Sequence, residues 1–300
     1  MKLSQFVYYT FYGINQILTK SDKPLIGSII LTDSCNLSCL HCAVNNNTKI
    51  MYKYSSICKD MKKLFAIGVR ILMLYGGEPF LWHDGNKKLR DLVIKAKRMG
   101  FFIVNIVTNG TYPLNIPEAD TILVSLDGGK DKHELIRGTC YDKIMQNIRN
   151  SPRPNICLYC ALNHLNKNEI HKIGRIAVQE QNVKAVSFNF HTPYPGTEHL
   201  SLTKSEKRKC CSEIRQLMKN KVPVFNLRSA FPYLVDNSFK RPITHTVIME
   251  NGKLYKCGRC IDIEGLCEQC GYFCTCEYSL AFSGNPLILS EMLLTYTKYM

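Results

Sequence analysis

Cys35, Cys39 and Cys42 stand in the run Asp33-Ser-Cys-Asn-Leu-Ser-Cys-Leu-His-Cys42, directly after the apolar run Ile29-Ile-Leu31. A C-x3-C-x2-C spacing at the end of one strand lets three thiolates take three irons of a 4Fe–4S cube. The fourth iron then has no protein ligand and is open to another molecule, which makes the site reactive rather than purely structural. Three further runs carry polar groups beside glycines: Leu74-Tyr-Gly-Gly-Glu-Pro-Phe80, Val107-Thr-Asn-Gly110 and Ser125-Leu-Asp-Gly128. Glycine lets backbone come close to a partner, and Glu78 supplies a carboxylate beside Gly76 and Gly77. A second group of cysteines lies near the other end: Cys257 and Cys260, then Cys267, Cys270, Cys274 and Cys276. Two C-x2-C pairs six residues apart suit a small zinc site as well as an iron–sulfur cluster, so spacing alone does not choose the metal.

These residues need a frame that brings them to one place. Apolar residues at 3, 6, 7, 11, 14, 17 and 18 predict a helix over 3–19 with one wide apolar face. A strand is expected at 27–32, just before the cysteine loop. Helix and strand then alternate: helices near 54–67, 86–99, 140–150, 167–181 and 204–220, with strands at 70–75, 101–107, 121–126, 155–161 and 184–190. Such alternation implies βαβ units around a parallel sheet. Six strands connected right-handedly make an open sheet or a curved partial barrel, and in both cases ligands bind at the carboxyl ends of the strands. The cysteine loop and all three glycine-containing runs fall on that rim, as do Asn163 after the fifth strand and His191 at the end of the sixth.

The pattern changes after residue 222. Val222–Leu227 reads as an edge strand because of Pro223. Thr244–Glu250 and Lys253–Lys256 read as a hairpin about Asn251-Gly252, and Pro286–Met300 reads as a closing apolar helix. The expected organisation is an N-terminal helical segment 1–24, a barrel 25–222 and a cysteine-rich extension 223–300.

Composition narrows the classes. The 300-residue chain is 45% hydrophobic, enough for a sizeable core, and no apolar run reaches the ~20 residues that span a bilayer. No signal peptide is legible at the start. Fifteen cysteines, an odd number in a long chain, argue for metal-bound thiolates in a reducing cytoplasm rather than a disulfide framework. The net charge of +15 comes from dispersed lysines such as Lys87-Lys88 and Lys204–Lys209, without interleaved stacking aromatics. That argues against a nucleic-acid partner and for a solvated basic surface, with peripheral contact to anionic lipid as a second expectation.

Taken together the motifs resemble those of radical S-adenosylmethionine (SAM) enzymes. The family's C-x3-C-x-aromatic-C element aligns with Cys35, Cys39, His41 and Cys42, with histidine in place of the commoner tyrosine or phenylalanine. Gly76-Gly77-Glu78-Pro79 resembles the element that holds the SAM amino group. Thr108, Asn109, Ser125 and Asp127 resemble positions that meet the ribose or carboxylate, and Asn163, by its place on the rim, is a further candidate SAM contact. The resemblance covers roughly 25–195. It implies an α/β fold, a partial (β/α)6 TIM-like barrel, and cleavage of SAM at a 4Fe–4S cluster to a 5′-deoxyadenosyl radical. It also implies an electron donor such as ferredoxin or flavodoxin. It further implies an auxiliary iron–sulfur cluster at Cys267, Cys270 and Cys274 with Cys257 or Cys260, zinc being the alternative. The layout is most similar to the adenosyl-hopene transferase branch, which implies an isoprenoid or lipid-like substrate reached past the N- and C-terminal helices. The branch usually carries a cysteine where this chain has Val107. The competing reading is modification of a ribosomally made peptide; about 25 residues before the first strand are too few for the winged-helix peptide-binding domain such enzymes often carry. A non-catalytic iron–sulfur protein is the remaining alternative, opposed by the intact Gly-Gly-Glu element.

Overall fold

The computed structural model describes residues 3–43 and 48–299, the side chains of residues 3, 4 and 6 excepted, so Phe6 of the expected helix face lies outside the described side chains. Helix α1 (Leu3–Thr19) leads into β1 (Ile26–Ile30). Then come α2 (Tyr54–Ala66), β2 (Ile71–Tyr75), a small hairpin β3 (His83–Asp84) and β4 (Lys87–Lys88), and α3 (Leu89–Arg98). The series continues with β5 (Ile103–Thr108), β6 (Thr121–Ser125), α4 (Lys130–Arg137), α5 (Tyr141–Arg149), β7 (Ile156–Leu162), α6 (Ile170–Gln179), β8 (Val183–Phe190) and α7 (Lys204–Lys219). After these lie α8 (Phe231–Asp236), the hairpin β9 (Thr246–Glu250) and β10 (Lys253–Lys256), α9 (Phe273–Phe282) and α10 (Pro286–Tyr299).

The main sheet has eight strands in the order β10-β9-β1-β2-β5-β6-β7-β8. All neighbours are parallel except β10, which runs antiparallel to β9. This is the expected α/β partial barrel. One face of each strand packs under the helices: Leu72, Leu74, Ile106, Ile122, Val124, Leu158, Val186 and Phe188 are all fully buried. Strand alternation therefore turns the intervening residues toward the barrel axis. Thr203 and Glu206 start α7 with a reciprocal capping box, which satisfies two end donors.

Three expectations change. The hairpin at 246–256 does not stand apart: β9 pairs in parallel with β1, so the extension lengthens the barrel sheet at its first strand. Val222–Leu227 forms no strand; Val224 makes an isolated bridge to Val186, where Pro223 contributes only a carbonyl. The third concerns α1. Its tyrosines turn inward, with the Tyr8 and Tyr9 rings against Phe102 at 5.1 and 5.9 Å, while Val7, Phe11, Ile14 and Leu18 are exposed. Phe102 and Arg70 precede β5 and β2, so α1 plugs the amino ends of the strands together with Leu25, Ile26, Ile71 and Ile103. It lies at the end opposite the rim and borders no entrance there. Phenol rings win the inner face because they can cover the strand ends and stack under a guanidinium, as Tyr8 does beneath Arg70 at 5.8 Å.

Candidate functional site

The cysteine loop leaves β1 at Leu31, and the chain after β2 is pressed against it. A β-carbon on Gly76 would lie 2.1 Å from the Thr32 carbonyl oxygen, and one on Gly77 would lie 2.1 Å from that of Ser34. Gly77 N donates to Thr32 O at 2.7 Å and Glu78 N to Ser34 O at 2.8 Å. Both glycines are thus accounted for by close approach to the cysteine loop itself. Asp33 ties the far side of that loop down, accepting from Thr48 N and Ile50 N.

Glu78 is fully buried, and its carboxylate is not free at the rim. Oε1 accepts from Thr108 Oγ1 at 2.7 Å and from Phe80 N at 3.0 Å, and Oε2 accepts from Asn109 N at 2.7 Å. It clips the β2 loop to the β5 loop, while Pro79 opens the short buried turn that follows. Burial pushes its pKa up to about 7 against the pull of those three donors and of Arg137. Because this value lies above the unfolded one, the carboxylate opposes folding as pH rises from about 4.5 through 7. Glu78→Gln removes that dependence but turns an amide N–H against a donor, at a cost of about 1–3 kcal/mol. Thermal unfolding at pH 5 and pH 8 should therefore show the variant gaining on the wild type at the higher pH. A constant gap would mean that Glu78 is ionised throughout.

Asn109 reaches the cysteines directly. Its Nδ2 donates to Cys35 Sγ at 3.6 Å and to Asn36 Oδ1 at 2.9 Å, and its Oδ1 accepts from Thr111. Across the rim, Arg137 on α4 donates to Cys39 Sγ at 3.9 Å and lies 3.3 Å from His41 Nε2. Asp127 holds Arg137: Oδ2 accepts from its Nε at 2.6 Å, Oδ1 accepts from Ala161 N at 2.9 Å, and His41 Nε2 lies 3.5 Å away. Burial works against the Asp127 charge, yet Arg137 and His41 bring its pKa below the ordinary value. Burial lowers His41 to about 4, so its ring is neutral near pH 7. That ring meets His191 edge-on at 6.3 Å, and His191 Nε2 is 3.1 Å from Thr197 O. Ser125 ends β6 and is buried. Asn163 is committed to its own turn, with Oδ1 accepting from Leu165 N at 2.8 Å. Asn166 in turn donates to the Asp127 carbonyl.

Arg137 and Asn166 are site residues that the sequence patterns do not single out. Arg137 closes a short, strongly polar helix, Lys-Asp-Lys-His-Glu-Leu-Ile-Arg, that buries only His133 and Ile136, and Gly138 follows it. Burial raises the Cys35 thiol and pushes Cys39 up to about 11, the latter opposed by Arg137. The three thiols share one loop and one electrostatic neighbourhood. Among the described residues, no three histidine, cysteine or acidic side chains converge as a metal-binding group. The donor set still fits an iron cluster: three thiols on one loop, with Leu37 N, Asn109 Nδ2 and Arg137 Nη1 directed at the sulfurs.

The second cysteine group lies on the extension and is stitched to β8. Gly271 O accepts from Phe190 N at 2.9 Å, Gly271 N donates to Thr192 Oγ1 at 3.0 Å, and Phe273 N donates to Asn189 Oδ1 at 3.0 Å. A β-carbon on Gly271 would lie 2.2 Å from the Phe190 carbonyl oxygen. The extension thus meets both edges of the open sheet, β1 through β9 and β8 through Gly271. Cys257, Cys260, Cys267, Cys270 and Cys274 are electrostatic neighbours: Cys257 and Cys267 help raise Cys260 to about 11 after burial, and Cys257, Cys260 and Cys274 help raise Cys270 to about 12. Cys276 is buried and bonds back to Ala230 O at 3.7 Å. Cys274 is exposed.

Residues 29–153 match the Radical SAM superfamily family model. The sporulation killing factor maturation protein SkfB of Bacillus subtilis (strain 168) is 27% identical over 179 residues, which are 55% of this chain and 42% of SkfB. The antilisterial bacteriocin subtilosin biosynthesis protein AlbA of the same strain is 28% identical over 184 residues, 56% of this chain and 39% of AlbA. The chain thus spans less than half the length of these two relatives. Streptococcus suis SuiB bound to its precursor peptide SuiA superposes with a TM-score of 0.63 at 13% identity, over 97% of this chain and 72% of SuiB, a likeness of fold. These matches do not point to the adenosyl-hopene transferase branch. The span that matches the radical SAM superfamily model holds the cysteine loop, the Gly-Gly-Glu run and the Asp127–Arg137 pair.

Proposed function

We propose that the protein reductively cleaves SAM and uses the resulting radical to modify a peptide. The observation that carries the peptide reading is the similarity to SkfB and AlbA, whose names assign them to killing-factor maturation and bacteriocin biosynthesis. The fold likeness to peptide-bound SuiB and a second cysteine group seated on the rim of β8 agree with it. In this reading Cys35, Cys39 and Cys42 hold the 4Fe–4S cluster. When bound, that cluster supplies the electron that splits SAM into methionine and a 5′-deoxyadenosyl radical.

The chain's own residues do the rest. Gly76 and Gly77 let the β2 loop brace the cysteine loop, and Glu78 with Thr108 and Asn109 locks the β5 loop beside it. Asn109 and Arg137 place donors on Cys35 and Cys39. His41, neutral and half-buried, packs against Asp127, Arg137 and His191 on the rim where SAM would bind, and Ser125 and Asn163 are further candidate contacts. Cys257, Cys260, Cys267, Cys270 and Cys274 supply ligands for an auxiliary iron–sulfur cluster. Enzymes of this class draw their electron from a donor protein such as a ferredoxin or flavodoxin. The exposed stripe of α1 faces away from the rim and gives a lipid-like substrate no local support. No helix among the described residues is long and apolar enough to cross a membrane.

The test is anaerobic reconstitution followed by metal analysis and turnover. Iron beyond one cube is expected; iron for one cube with stoichiometric zinc would assign the second group to zinc. Incubation with SAM, reductant and short peptides encoded beside the gene should give a peptide of altered mass. An adduct formed on an isoprenoid, with every peptide unchanged, would overturn the peptide reading.

A further inference from the structure

The barrel is more open inside than outside, the reverse of a filled (β/α)8 core. Helix-facing residues of β2, β5, β6, β7 and β8 are fully buried, yet the alternating residues on the other face stay partly accessible: Ser28, Met73, Leu123, Tyr159 and Ser187. Registry puts Ser28 beside Met73 and Met73 beside Asn105, with Tyr159 beside Ser187. The lower end is sealed by the tyrosines of α1. Accessible walls above a closed floor make a hollow that opens at the rim. None of these inward-facing positions carries a charge: they are two serines, an asparagine, a methionine, a leucine and a tyrosine.

One of them is incomplete. Asn105 sits between Val104 and Ile106, both fully buried on the helix side, so its side chain is turned into the hollow. It is 8% exposed, and its Oδ1 is buried without any hydrogen-bond partner. A buried acceptor left without a donor is unfavourable, and native structures rarely leave one so. We propose that Asn105 is a specificity-determining residue: its Oδ1 takes an N–H or O–H from an uncharged substrate side chain that enters the hollow beneath the cysteine loop. This rests on the peptide reading above for the identity of the substrate, and it assigns that substrate a neutral, partly apolar target residue. A charged side chain is rejected because none of these named positions would pair with it.

Binding to the reconstituted protein with SAM tests this, using benzamide, benzoate and benzylammonium as probes of similar size and N-acetyltyrosinamide as a peptide-like one. Affinities come from saturation-transfer NMR, and hydroxyl-radical footprinting of Met73 and Tyr159 locates the bound probe. Benzamide should protect both residues and bind at least tenfold more tightly than either charged probe. Asn105→Leu should weaken benzamide about tenfold, and Asn105→Asp, which keeps the acceptor and adds charge, should bring benzylammonium ahead of benzamide. No binding of benzamide to the wild type, unchanged affinity in Asn105→Leu, or equal binding of the charged probes overturns the inference; the aspartate variant keeps it testable if the leucine variant does not fold. If benzamide behaves as stated while N-acetyltyrosinamide does not enter, the assignment of Asn105 stands and the peptide reading falls.

Discussion

Asp127→Ala should destabilise the protein by about 3–5 kcal/mol, the usual cost of stripping one partner from a buried ion pair. The reason is geometric. Arg137 is nearly inaccessible, its Nε is 2.6 Å from Asp127 Oδ2, and no other acidic side chain pairs with it among the described residues. Without Asp127 a guanidinium stays in the interior with only a thiol and a neutral imidazole beside it. The Ala161 N–H also loses its acceptor. Arg137→Leu should likewise be costly, because Asp127 is then buried as an unpaired anion. The double variant removes both charges and should be more stable than the sum of the two losses allows, with a coupling of at least ~1 kcal/mol. Chemical denaturation of the four proteins measures this. Additive losses would show that the pair does not act as a unit. The Asp127 pKa is lowered on folding, so its contribution is present above the ordinary carboxylate range and fades as pH falls through the folded value. The wild type and Asp127→Ala should therefore converge in strongly acidic solution.

The barrel was legible in the sequence because its strands are short apolar runs, most of them ended by Gly, Asn or Asp, and all six fall within about two residues of their expected limits. What could not be read was pairing across long sequence separation. Nothing in Thr246–Glu250 marks it as the parallel neighbour of Ile26–Ile30 rather than a free hairpin. Periodicity also cannot say which face of a helix wins the core. In α1 the aliphatic stripe is the regular one, yet the tyrosine stripe turns inward, because Phe102 and Arg70 offer it edge-to-face and cation–π contacts that aliphatic side chains cannot make. Helix α9 escaped notice for a different reason: its sequence Phe-Cys-Thr-Cys-Glu-Tyr-Ser-Leu-Ala-Phe is buried on most sides and so has almost no apolar face to detect.

Within the site, the motif residues were legible but not all their partners. Glu78 stands out as a carboxylate beside two glycines, and its three buried donors come from Phe80, Thr108 and Asn109, two of them on another strand's loop. Asp127 stands out at a strand end, whereas Arg137, ten residues on, lies in a helix too polar to register as one. The glycines look like room for a ligand, and the space beside them is filled by the cysteine loop backbone.

The account rests on Cys35, Cys39 and Cys42 holding a cluster whose open iron engages SAM. The most direct measurement compares the anaerobically reconstituted wild type with the variant carrying Ala at all three positions. Each is assayed for bound iron and for formation of 5′-deoxyadenosine from SAM under a low-potential reductant. The account predicts loss of one cube's worth of iron and of 5′-deoxyadenosine to background, with the iron of the extension retained. SAM cleavage that persists in the triple variant would contradict it.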